Sequence, residues 1–436
     1  MAPDTSAPHP SSSRSALGSH PLPAGGEREN EAARSLLSAA AVRQRAHEML
    51  AAGLRGELEH FTVDMASLGP AAQVVSELIR VNYPDLNVPF HARWRHFVLG
   101  GRDLWAERAA QARWPSPAAK ARAEFDLAIT SVLLDAGAGA SWHYLDPATE
   151  QVVSRSEGLA VASLRMFEAG AFSSDRADPL RADAARLTHL THEEIADGFQ
   201  SMVGNRLVGV EGRAELIASL GRAVAANPPV FAREDRARPG GLYDFLAAQA
   251  EGGKLPAPRI LDGVLEHFGA IWPGRLTLGG LPLGDTWRHP AIKRPDATNA
   301  LVPIHKLSQW LAYSLIEPLQ GAGITVTDID GLTGLAEYRN GGLFVDAGVL
   351  RLRDPEAAIH PSPVDSRLVV EWRALTVALL DEIAALIRDQ QGLSSEALPL
   401  ACVLEGGTWA AGRRLAREKR PDGSPPIAVV SDGTVF

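Results

Sequence analysis

Between roughly residues 364 and 391 apolar side chains recur at three-and-four spacing, and no other feature constrains the fold as strongly. Leu368, Val369, Trp372, Leu375, Leu379, Leu380, Ile383, Leu386 and Ile387 form one stripe, the pattern of a long helix laid against a core. The same periodicity predicts helices over roughly 32–52, 69–82, 117–136, 157–169, 192–203, 211–226, 258–270, 301–320 and 407–419. Gly and Pro punctuate the gaps, as at Pro228-Pro229, Pro239-Gly240-Gly241 and Pro273-Gly274. Strand-like runs are short: Ser141 to Leu145, Gly323 to Thr327 and Ile427 to Val430. Ser431-Asp432-Gly433-Thr434 after the last reads as a turn into Val435-Phe436, a C-terminal hairpin. Strands and helices do not alternate, which argues against a doubly wound parallel sheet. The expected fold is mainly α, a large multi-helix globular domain with a few short β-strands. A disordered tail over 1–30 precedes a single composite helical domain over 31–436.

Composition narrows the function classes. A 436-residue chain with 45% hydrophobic and 22% charged residues can bury a large core. The formal charge of −9 gives no bulk attraction to nucleic acid or an anionic membrane, and neither is expected as a partner. Met1 to Asn30 has no apolar run of the kind a signal peptide needs. No stretch approaches the roughly eighteen consecutive apolar residues of a membrane span. Cys402 is the single cysteine, which fits the cytoplasm and a core position after Pro399. His189-Leu-Thr-His192-Glu193 is not HExxH, and no Walker A, G-x-S-x-G or dinucleotide fingerprint occurs. No metal or cofactor is expected.

Three segments concentrate polar groups among apolar ones. In EFDLAITSVLLDAGAGASWHY (124–144) a helix apolar nearly all round carries Asp126, Thr130, Ser131 and Asp135. Asp135 falls in the last turn, where the helix dipole disfavours negative charge. It must be paired, hydrogen-bonded or poised for use, and a structural pair with Arg is an equal reading. Trp142 and His143 follow as an aromatic platform and a titratable group. In LVPIHKLSQWLAYSLIEPL (301–319) Pro303 suits a first helical turn. His305 and Lys306 then sit at a helix N-terminus, where cations are misplaced unless an anion is bound. Lys306, Trp310 and Tyr313 line the face opposite the leucines, as a wall for a heterocycle or as a second packing surface. In LTGLAEYRNGGLFVDAGVL (332–350) an extended Glu-Tyr-Arg puts Glu337 and Arg339 on one side. An acid and a guanidinium there suit a phosphorylated or hydroxyl-rich ligand, or merely pair with each other. The paired Gly341-Gly342 admit a ligand or make a turn.

Smaller constellations add Asp285, Arg288 and His289 in the loop GDTWRHP. GGTWAAGR (406–413) offers Thr408 as an N-cap and a weak phosphate cradle. Glu371 and Arg373 on the long helix read as locks between helices.

These segments, with RSEGLAVASL (155–164), HKLSQWLAYSLIEPL, EWRALTV (371–377) and the terminal SDGTVF, resemble the uracil catabolism protein 4 family of fungi and bacteria. The resemblance covers essentially everything after residue 31. It implies a place in a pathway that takes uracil through its ribonucleotide, with ring opening, towards urea and a three-carbon acid. The helix ending near Trp142 and the LTGLAEYR run are also similar, over two short stretches, to the queuosine 5′-phosphate N-glycosidase family. Where that family is expected to carry Asp-Tyr-Arg, this chain has Glu337-Tyr338-Arg339.

The reaction these readings imply is hydrolysis of the N-glycosidic bond of a ribosylurea or its phosphate. The partner is a small pyrimidine-derived (phospho)riboside. Glu337 would stabilise charge or act as base, with Asp135 or His143 as helper. Arg339, His305 and Lys306 would anchor phosphate or sugar, beside Trp142, Trp310 and Asp285. The alternatives are an amide or ureide hydrolase on an opened pyrimidine, and a non-catalytic nucleotide-binding partner of the ring-opening enzyme.

Overall fold

The computed structural model describes residues 24–139, 141–233, 236–272 and 275–430. The fold is mainly α. Its centre is the helix Arg367–Gln391, capped by the Ser366 hydroxyl, which accepts from the Val369 amide at 3.3 Å. Gly392 ends it with a left-handed φ of 68°, where a side chain would be strained. Most of the stripe read from the sequence is fully buried, with Leu386 half-buried. The helices Ala39–Leu54 and Leu68–Asn82 cover it.

A second core helix, Pro117–Leu133, starts from the Ser116 cap with proline in its first turn. It is buried continuously from Ala123 to Leu133. Around it pack Arg155–Glu168, Lys306–Gly321 and Gly241–Ala247. Arg213, fully buried, donates to the carbonyls of Leu134 at 3.0 Å and Gly137 at 3.2 Å. A cation thus meets the negative end of that helix.

Among the described residues the strands form only two-stranded ladders. Two of the expected runs appear, as His143–Leu145 antiparallel to Val152–Ser154 and Thr325–Thr327 parallel to Lys254–Pro256. Val429–Val430 runs parallel to Ser362–Pro363. The turn expected at 431–434 and the strand after it lie outside the described residues.

Several local readings are corrected. A helix covers Ala24–Leu36, so helical structure begins inside the stretch read as tail. Leu301–Pro303 is a strand paired with Thr286–Arg288, and the helix expected from 301 begins at Lys306. Thr408 is no N-cap. The chain runs through Leu400–Val403 and a π-helical turn, Leu404–Thr408, straight into Trp409–Lys419. Gly406 and Gly407 cradle no anion. A Cβ on them would lie 2.8 Å from Val88 and 2.4 Å from Val75, so they let this turn press on its neighbours. Gly341 and Gly342 likewise lie inside the helix Tyr338–Asp346, against Trp372 and Pro426.

No helix of the described residues is long and apolar enough to cross a membrane. Cys402 is buried, and burial pushes its thiol up to about 12.

Candidate active site

Glu337 caps the helix Tyr338–Asp346 with its side chain. Oε2 accepts the Arg339 amide at 2.7 Å and Oε1 the Asn340 amide at 2.5 Å. Short polar side chains are the usual choice at this position, and here a longer carboxylate folds back to do the work. Glu337 is 8% exposed. Burial raises its affinity for a proton, while the two amides and the Lys306 ammonium oppose that rise. The result is a carboxyl above its ordinary range, fixed in place by backbone donors.

Lys306, in the first turn of Lys306–Gly321, stands 5.8 Å from the Trp310 ring. Burial lowers its proton affinity, and the carboxylates of Glu337 and Asp135 pull it back up. The residue is half-buried.

The anion that the sequence argument required at this helix start is the protein's own Asp285. Its Oδ2 accepts the Lys306 amide at 2.9 Å, and its backbone carbonyl accepts those of Ile304 and His305. Arg373 clamps the carboxylate with two bonds of 2.8 and 2.7 Å, and Trp287 Nε1 adds a third at 2.6 Å. These donors hold Asp285 far below the usual carboxylate range against the opposing effect of burial. Asp285 therefore positions Lys306, and ligand contact is not its role. Arg373 locks this loop to the long helix, and Glu371 accepts the amides of Glu59 and His60.

His305 is also reassigned. Its φ of 48° turns the ring away from Lys306, into the core, where Nε2 meets the Leu36 carbonyl at 3.0 Å. Burial lowers its proton affinity, so it is not the phosphate anchor proposed above.

Asp135 lies just past the Pro117–Leu133 helix and joins the cluster. Arg93 Nη1 donates to its Oδ1 at 2.8 Å and Ser156 Oγ to its Oδ2 at 3.0 Å. Arg93 is fully buried, and Nε donates to Ser131 at 2.7 Å. Its guanidinium sits 5.5 Å from the Trp310 ring. Arg93 Nη2 and Trp310 Nε1 are both buried donors with no partner among the described residues. Native interiors rarely leave such groups unpaired unless water or a ligand meets them.

The stretch 91–97, HARWRHF, supplies residues that the sequence reading missed. Its anchors are exact in register: the His91 amide donates to Ala401, and the Arg93 amide and Trp94 Nε1 both bond Ser314. His91 Nδ1 meets Glu405 Oε2 at 2.7 Å, the acid coming from the π-helical turn. Such turns are frequent at functional sites. The His91 ring stacks near Trp310 at 6.3 Å and tilts against Trp409 at 6.2 Å. His96 completes the aromatic wall, 5.5 Å from Trp310. Burial and the charges of Arg93, His91 and Arg413 keep His96 neutral, well below 6.5. A density of His, Arg and Trp in one short irregular stretch was the available signal, and helical periodicity could not register it.

Beyond Glu337 the wall becomes cationic. Arg339 lies 4.8 Å from the Tyr338 ring and donates from Nη1 to Gly423 at 2.9 Å. Arg413 stacks 5.2 Å from Trp409 and pairs with Glu157 at 3.1 Å. Arg155 precedes Ser156 and Glu157 at the start of the Arg155–Glu168 helix.

Of the residues singled out from the sequence, Glu337, Asp135, Lys306, Trp310 and Arg339 come together. Trp142 and His143 do not. Trp142 is buried, donates to the Phe199 carbonyl at 2.9 Å and packs on Gly158. His143 is exposed on the next strand, its ring against the Ser141 carbonyl and its backbone bonded to Asn205. Neither side chain lies in the site.

Residues 35–436 match the family described as "Protein of unknown function (DUF1688)". The chain is 36% identical over 417 residues to uracil catabolism protein 4 of Lachancea kluyveri, covering 87% of this chain and 93% of that protein. It is 37% identical over 421 residues to Protein urg3 of Schizosaccharomyces pombe, covering 93% and 99%. With a match over nearly its whole described length and relatives of this identity and coverage, the chain belongs to the DUF1688 family, that of uracil catabolism protein 4.

Proposed function

We propose that the protein acts in uracil catabolism as a hydrolase that cleaves the N-glycosidic bond of a ribosylurea. The names of its relatives support the pathway. The observation that carries the reaction is Glu337: a buried carboxylate pinned by two amides, facing Lys306, beside a second acid already neutralised by Arg93. Glycosidic cleavage builds positive charge on the sugar, and a fixed carboxylate lowers the energy of that state. As the C1′–N bond breaks, its electron pair goes to the urea nitrogen, which takes a proton from His91 Nε2. Glu405 holds the other ring nitrogen and so fixes the orientation of the ring. Water bonds to C1′ and loses its proton to Glu337, giving ribose and urea. Trp310 and Trp409 flank the planar urea, and the unpaired donors Arg93 Nη2 and Trp310 Nε1 suit its oxygen. This assigns the proton-donor role to His91 in place of His143 and leaves Asp135 to orient Arg93.

The test is purified protein with ribosylurea and its 5′-phosphate, scored for urea and reducing sugar. Urea and sugar should appear in equal amounts. Glu337→Gln keeps an amide acceptor but not the charge, and should lower kcat by about 10²–10³-fold. No urea from either substrate, or full activity in Glu337→Gln, overturns the reading.

A further inference from the structure

We infer that Arg339, Arg155 and Arg413 form a pocket for a phosphomonoester, the 5′-phosphate of a ribosyl substrate. The inference rests on the glycosidase reading for its sugar and on independent geometry for its phosphate.

Three elements bring the arginines together. The helices Tyr338–Asp346 and Trp409–Lys419 touch backbone to backbone: a Cβ on Gly412 would lie 2.0 Å from the Arg339 carbonyl. That contact sets Arg413 beside Arg339. The Arg413–Glu157 pair then ties both to the start of the Arg155–Glu168 helix. Arg339 is 3% exposed, yet only Nη1 has a protein hydrogen bond. Its Nε and Nη2 have none among the described residues and reach the little solvent that this side chain still meets. Arg155 holds a φ of 56°, a left-handed conformation that a side chain adopts at a cost and that clusters at ligand sites. The charges of Arg155 and Arg413 both bear on Arg339 and repel it.

Three guanidiniums face the carboxylate of Glu157, with that of Glu337 at the pocket's edge, so the pocket keeps a positive excess in a protein whose formal net charge is −9. A phosphomonoester near neutral pH carries about −1.5 to −2 and three acceptor oxygens, which forked guanidinium donors match. Position agrees as well. Tyr338 and Arg339 directly follow Glu337, so the pocket adjoins the carboxylate without overlapping it. A ribose 5-phosphate likewise carries its phosphate at the opposite end from its anomeric carbon.

Calorimetric titration of the full chain with ribose 5-phosphate, ribose and inorganic phosphate tests this. Ribose 5-phosphate should bind at least about 100-fold more tightly than ribose, the scale of a few charge-assisted bonds. Arg155→Ala, at an exposed position, should weaken ribose 5-phosphate about tenfold and leave ribose unchanged, with Arg155→Lys between. Arg413→Ala should act in the same direction. Equal binding of ribose and ribose 5-phosphate, or inorganic phosphate binding as tightly as the sugar phosphate, overturns the assignment. The two readings fail separately. Phosphate-dependent binding without urea release sinks the glycosidase and keeps the pocket. Equal kcat/KM on ribosylurea and its phosphate sinks the pocket and keeps the glycosidase.

Discussion

Asp126 and Asp135 stand nine residues apart at the two ends of one buried segment, each against an arginine, and they do different things. Asp126 is closed. Its Oδ1 accepts the Gly240 amide at 2.6 Å, and its Oδ2 accepts the Ala182 amide and two bonds from Arg238. Both oxygens face fixed donors, and Gly240 packs so tightly that a Cβ would lie 2.8 Å from the carboxylate. Asp135 is open. It has one guanidinium bond and one hydroxyl bond, and its partner Arg93 keeps a buried nitrogen unpaired beside Trp310. A buried ion pair says little about function by itself. The tally of satisfied donors around it says more, because a site built for a ligand leaves donors waiting.

The largest expected effect breaks this comparison if it fails. Asp126→Asn forces an NH2 against a fixed donor in either orientation and strips Arg238 of its counter-charge, at a cost of about 3–5 kcal/mol. Urea denaturation measures it. Asp135→Asn also removes the counter-charge of the fully buried Arg93 but should cost less, about 1.5–3 kcal/mol of stability. The Ser156 hydroxyl can turn to accept from the new NH2, and Arg93 can keep the carbonyl oxygen. Activity should reverse the ranking, with Asp135→Asn the more impaired at temperatures where both variants are folded. Equal destabilisation of the two would remove the distinction between a closed and an open pair.

Gly412→Ala sharpens the open end. Pushing the Arg339 carbonyl away should cost about 1–3 kcal/mol and spread the arginines, raising KM for a phosphorylated substrate more than for ribosylurea. A uniform change in both would mean that Gly412 serves packing alone.

The smallest effect is acid sensitivity. His96, beside Arg93, has its folded proton affinity pushed well below 6.5. Above 6.5 neither folded nor unfolded chain protonates it. As pH falls below that value the unfolded chain takes up a proton that the native site refuses, and stability declines. The urea midpoint should fall between pH 7 and pH 5, and His96→Asn should flatten part of that fall. An unchanged slope would show that His96 is protonated in the native state.

The sequence by itself determined the mainly α fold, because a stripe such as Leu368 to Ile387 has only one regular structure that buries it. It also exposed Asp135, Lys306, Trp310, Glu337 and Arg339, each a polar or aromatic exception within an apolar pattern. Only the tertiary structure decided which charges meet. Asp285 belongs to Arg373, 88 residues away, and His91 to Glu405, 314 residues away. The φ of 48° that turns His305 to Leu36, and the strand that replaces the start of its expected helix, likewise come from distant packing. Periodicity reports how a residue relates to its neighbours along the chain. The pairing of a buried charge is fixed instead by whichever partner the fold brings within hydrogen-bonding distance, and no local pattern encodes that.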